Sequence, residues 1–95
     1  MICPRTSKFS LGQTLATPGA LEVLEQAGQS SIEFLARHQS GDWGDVCPDD
    51  AAANDQALLD GGRILSSYQT AKRTKIWIIT EADRTATTIL LPEEY

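Results

Sequence analysis

The chain has 95 residues, 41% hydrophobic and 22% charged; that balance belongs to one globular domain and leaves no room for a second core. Its formal net charge of −5 repels phosphate backbones and attracts cationic surfaces, so the expected partner is a protein, basic or itself nucleic-acid-binding, and direct nucleic-acid contact is not expected. Cys3 and Cys47 lack CxxC spacing, and two cysteines are too few for a disulfide scaffold. No apolar run reaches the roughly 18 residues needed to span a bilayer, and Met1–Arg5 lacks the apolar core of a signal peptide. A cytoplasmic protein is expected.

Residues 1–8 are polar, with an early Pro4, and are expected to be loosely ordered; residues 9–95 form the single domain. Phe9, Leu11, Gln13 and Leu15 alternate with Ser10, Gly12 and Thr14, which predicts a short strand weakened by Gly12. Thr17-Pro18 opens a helix, because threonine caps the free amides and proline lacks one. Ala20, Val23, Leu24 and Ala27 form its apolar stripe, and Gly28 ends it.

Ser30 and Glu33 have the spacing of a capping box for a second helix, running to about Gln39. Ile32, Leu35 and Ala36 mark its predicted buried stripe, with Phe34 at the edge. Two glycines around Trp43 make Gly41–Asp45 a tight turn. Pro48, Asp49 and Asp50 then start an alanine-rich third helix that stops at Gly61-Gly62, the carboxylates favouring the positive end of the helix dipole.

Beyond Gly62 the pattern changes to strands: Arg63–Gln69, Lys75–Thr80 and Thr85–Leu91, joined by hairpin loops at 70–73 and 81–84. Four-residue loops place Ile64, Tyr68, Trp77, Ile79 and Leu90 on one face and Leu65, Ile76, Ile78, Ile89 and Leu91 on the other. The fold class is α+β: a short N-terminal strand, three helices, then a three-stranded antiparallel meander with helices packed on one face. Both faces of the meander are apolar, so either the helices wrap both faces or the uncovered face meets another chain, a homodimer being one such arrangement.

Five features bear on chemistry. Asp42, Asp45, Asp49, Asp50, Asp55 and Asp60 crowd a stretch without lysine or arginine; they form either a docking surface for a basic partner or a solvated run of turns and caps. Trp43 in that stretch either plugs the core or anchors a partner. His38, Asp42, Asp45 and Cys47 are metal-ligand types, but their spacing matches no known site, and neither metal nor cofactor is expected. His38, Arg63, Glu81 and Arg84 are the residue types of a metal-independent ribonuclease: a carboxylate base, a histidine acid and arginines on the phosphate. Lys72, Arg73 and Lys75 make a basic hairpin tip that either touches single strands or keeps an edge from aggregating.

Through Gly41-Asp42-Trp43-Gly44, Ile76–Arg84 and Thr87–Pro92, the chain resembles, from about Leu11 to Tyr95, a family of small bacterial proteins carried on plasmids and other mobile elements. These are often labelled plasmid-related proteins and sometimes restriction-modification subunits. The resemblance implies a mobile-element accessory protein that interferes with a host defence system, and it supplies no catalytic residues. The leading expectation is a non-enzymatic protein-binding module using Asp42, Trp43, Asp45, Asp49 and Asp50. The alternatives are a small ribonuclease or toxin using His38, Arg63, Glu81 and Arg84, and a self-associating structural module.

Overall fold

In a computed structural model, residues 7–95 are described; they form three α-helices and a four-stranded mixed sheet. The elements are β1 (Gln13–Ala16), α1 (Pro18–Ala27), α2 (Ser31–Gln39), α3 (Pro48–Asp60), β2 (Ile64–Gln69), β3 (Lys75–Thr80) and β4 (Ala86–Leu90), followed by a 3₁₀ turn at Pro92–Glu94. The sheet order is β1-β4-β3-β2, with β1 parallel to β4 and the other pairs antiparallel. The three-strand meander expected from the sequence is thus extended to four strands by β1. That strand starts at Gln13 rather than Phe9. Gly12 before it has φ +64, and a Cβ there would lie 2.4 Å from the Arg84 carbonyl oxygen, so the chain can enter the sheet only through a glycine.

Helix boundaries follow the local chemistry. Thr17 Oγ1 accepts the Ala20 amide and donates to Glu94 Oε1 at 2.6 Å, which clamps the C-terminal turn onto the start of α1. Gly28 and Gly61 close α1 and α3 in the left-handed conformation. Ser30 caps α2 through the Ile32 amide, but the second arm of the predicted capping box is not made: Glu33 accepts the Gln29 side-chain amide instead.

The face of α2 is rotated from the sequence expectation. Phe34 and His38, one turn apart, are buried, whereas Ile32 is 72% exposed and Ala36 is exposed. The sheet offers small hydroxyl groups opposite His38, and an imidazole meets them where an aliphatic chain would leave them unpaired.

The strand register also departs from expectation. Thr70 and Thr74 pair across a three-residue loop, with Arg73 in the left-handed region at φ 63. Gln69 therefore faces Lys75 rather than Thr74, and this single-residue slip turns every β2 side chain over. Ile64, Ser66 and Tyr68 now share the inner face with Ile76, Ile78, Thr80, Thr87 and Ile89; Leu65 joins Trp77, Ile79 and Leu90 on the outer face. All three helices pack on the inner face. Ala20, Leu24 and Phe34 meet Tyr68, Ile76, Ile78 and Ile89 in one cluster, and Trp43, Ala57 and Ile64 form a second.

The β2 edge is closed by side chain and loop. Asn54 of α3 donates Nδ2 to the Leu65 carbonyl at 2.6 Å and accepts the Leu65 amide on Oδ1 at 3.0 Å, as a neighbouring strand would. Two residues on, Ser67 receives the Asp45 amide and donates its own amide to the Trp43 carbonyl. Gly44 permits this approach, since a Cβ there would lie 2.0 Å from the Ser67 oxygen. We predict that Asn54→Ala lowers stability by about 2–3 kcal/mol, because both Leu65 backbone groups lose their partner at a buried site. Urea unfolding of the two proteins checks this; a loss below about 0.5 kcal/mol, the usual size for a surface change, would contradict it.

Candidate functional site

His38 lies at the C-terminal end of α2 with no exposed surface. Its Nδ1 is 2.5 Å from Ser66 Oγ on β2, and its Nε2 is 2.8 Å from Thr80 Oγ1 on β3. Thr80 Oγ1 lies 2.8 Å from Thr87 Oγ1 on β4, which donates to the Leu11 carbonyl at 2.7 Å. Counting protons fixes the directions from Leu11 back to Nε2. Thr87 gives its single hydroxyl proton to Leu11, so Thr80 must donate to Thr87. Thr80 then has none left, and His38 Nε2–H donates to it. In the neutral ring Nδ1 is the acceptor, and Ser66 donates. The result is one continuous relay, Ser66 to His38 to Thr80 to Thr87 to Leu11.

Aromatic rings close the site. Phe9 meets the imidazole edge-on at 5.2 Å and Trp43 at 6.0 Å. Burial, and secondarily the positive charge of Arg84, lower the His38 pKa from 6.5 to about 4. A serine hydroxyl donating to a neutral imidazole is the geometry of an activated nucleophile. Here, however, Ser66 is itself fully buried, the orienting group is an uncharged threonine, and no pocket among the described residues opens toward it. What the arrangement does chemically is hold a neutral histidine and satisfy three hydroxyls across three strands.

The ribonuclease-like residues are employed separately. Arg84, at φ 61, donates to the carbonyls of Gly62 (2.7 Å), Ala57, Glu81 and Ala82, tying the end of α3 to the β3–β4 hairpin. Arg63 lies over the Tyr95 ring at 5.4 Å and donates to its hydroxyl. Glu81 is exposed in the hairpin loop. His38 is enclosed and Glu81 is open to solvent, while Arg63 and Arg84 are held by Tyr95 and by backbone carbonyls.

The acidic contact residues divide. Asp42 pairs with Arg37 at 2.8 Å and accepts the Gly44 amide. Trp43 is 6% exposed and donates Nε1 to Asp55 at 3.0 Å. It plugs the core, and the reading of it as an exposed anchor is corrected. Asp45, Asp49 and Asp50 remain exposed and enter no ion pair with another described residue. Among the described residues no group of histidine, cysteine, aspartate or glutamate is placed to hold a metal ion. Cys47 is an exposed thiol; Cys3, and the expectation of loose order over residues 1–8 as far as residue 6, lie outside the described residues. Lys8 is tied by its amide to the Gln39 carbonyl. No helix among the described residues is long and apolar enough to cross a membrane.

No protein-family model matches the sequence, and no curated protein or solved structure is significantly similar to it.

The relay carries a pH dependence. The unfolded chain takes up a proton on His38 near pH 6.5 and the folded chain near 4. The folded state is therefore fully favoured above pH 6.5 and loses stability as pH falls toward 4. The loss should reach about 3 kcal/mol at pH 4. Urea unfolding at pH 7.5 and pH 4.5 should show this fall in the parent and a much smaller one in His38→Gln, which is less stable at pH 7.5. An equal fall in both proteins would contradict the assignment.

Proposed function

We propose that the chain is a non-enzymatic binding module that docks a basic protein partner on the acidic surface at the start of α3. An accessory role on a mobile element, in interference with host defence, is the setting in which such a module fits. The observation that carries the reading is charge segregation. Between Thr17 and Gly62 the sequence has nine carboxylates and one arginine, Arg37, while from Arg63 onward it has five cations and four carboxylates. Of the nine, Asp42 is neutralised by Arg37 and Asp55 is engaged by Trp43. Asp45, Asp49 and Asp50 are left as an exposed group on one loop and one helical turn.

Solvated carboxylates in the first turn of α3 also stabilise that helix by about 0.3–1 kcal/mol each. Helix stabilisation alone explains Asp49 and Asp50, but not Asp45, which precedes the helix in a turn held by backbone bonds to Ser67. A clustered negative potential speeds encounter with cationic proteins and makes their affinity fall with salt.

The test is fluorescence anisotropy of a labelled lysine- and arginine-rich peptide against the parent and against a variant with Asp45→Asn, Asp49→Asn and Asp50→Asn. Binding should weaken at least about tenfold in the variant and fall steeply with added salt. Glu22→Gln with Glu25→Gln on α1 should leave it unchanged. Equal weakening in both variants would reduce the effect to net charge and defeat the reading.

A further inference from the structure

We propose that the free edge of β1 takes an extended segment of a basic protein partner as a fifth strand, a contact separate from the acidic surface at the start of α3. β1 pairs on one side only, in parallel with β4. Gln13 donates its amide to the Thr85 carbonyl and Thr17 to that of Ile89, each at 3.0 Å, so alternate residues from Gln13 onward turn their backbone groups toward β4. The amide and carbonyl of Thr14 and of Ala16 therefore point away from the sheet, and no described residue pairs with them. A row of such groups is matched by another extended backbone.

The two edges of the sheet differ. At β2, Asn54 and the Trp43–Asp45 loop fill the ladder positions. β1 has no such cover among the described residues, and its sequence, Gln13-Thr14-Leu15-Ala16, holds none of the lysines or prolines that keep a free edge single. Gln13, Thr14 and Leu15 are exposed, Leu15 to 45%. In an antiparallel pairing the residue opposite Leu15 occupies a close, non-hydrogen-bonded position, where an apolar side chain covers it.

Charge selects the segment. Asp83 accepts the Thr85 hydroxyl at 2.6 Å beside the Gln13 end of β1, and Glu94 accepts the Thr17 hydroxyl at 2.6 Å beside the Ala16 end. These bonds hold both carboxyls below their ordinary pKa, and both residues are exposed. The strand is thus a neutral edge, about 13 Å long, between two anions. A segment with an apolar centre and a cation at each end complements it. A second copy does not. Antiparallel pairing of two β1 strands sets Asp83 of one chain against Glu94 of the other, in chains that each carry a net charge of −5.

Amide hydrogen exchange of the full chain, read by NMR during titration with a synthetic peptide of alternating valine and threonine flanked by lysines, tests this. Saturation with peptide should slow exchange of the Thr14 and Ala16 amides at least about tenfold. The same peptide with glutamates in place of its lysines should need at least about tenfold higher concentration for that protection. Thr14→Pro removes an outward amide without removing a bond to β4, and it should weaken binding at least about tenfold; should Thr14→Pro fail to fold, Leu15→Lys should weaken it likewise. Asp45→Asn, Asp49→Asn and Asp50→Asn together should leave the β1 protection unchanged, so its failure and that of the acidic surface are read separately. Unprotected Thr14 and Ala16 amides at saturation, equal binding of the two peptides, or loss of the protection in the triple variant would overturn the proposal. So would protection that appears without peptide and grows with protein concentration, which would assign the edge to a second copy.

Discussion

The structure depends on a single relay of buried hydrogen bonds, passed from Ser66 through the His38 ring to Thr80, Thr87 and the Leu11 carbonyl. It joins the end of α2 to three successive strands and to the segment leading into β1. Each hydroxyl has one proton to give, so the relay from Nε2 through Thr80 and Thr87 has a single self-consistent direction, and the ring, which burial keeps neutral, accepts from Ser66 on Nδ1. A small domain has few large side chains with which to specify how its layers meet. Here a polar core group does that work, and it does so by being fully satisfied rather than by being strong.

The surrounding structure protects this arrangement and leaves the surfaces divided. Phe9 and Trp43 wall the imidazole, and the Trp43 turn continues into the loop that closes the β2 edge. Arg84 gathers four carbonyls at the end of α3 and along the β3–β4 hairpin. With those groups committed to structure, the carboxylates of Asp45, Asp49 and Asp50 stay exposed at the start of α3.

Much of this was legible in the sequence because it is local. Thr17-Pro18, Gly28, the Gly61-Gly62 stop and the Lys75–Thr80 strand are fixed by short-range rules, and the structure keeps them. The β2 register was not legible, because it turns on whether Thr70 and Thr74 pair across the loop, and Arg73 gives no warning of its left-handed conformation. The α2 face differs from the expected one for a related reason. An apolar count favours Ile32 and Ala36, but the polar row of Ser66, Thr80 and Thr87 on the inner face draws His38 inward. The available signal was a histidine one turn from Phe34 together with a hydroxyl residue in each of three strands. Arg84 and His38 look like catalytic types in a list, and only their partners show that both are committed elsewhere.

A long-range proton–nitrogen NMR spectrum of the imidazole tests the central claim most directly. The account predicts a single neutral Nε2–H tautomer at pH 7, with no protonation until the pH nears about 4. A proton on Nδ1, or an ordinary titration centred near pH 6.5, would contradict it.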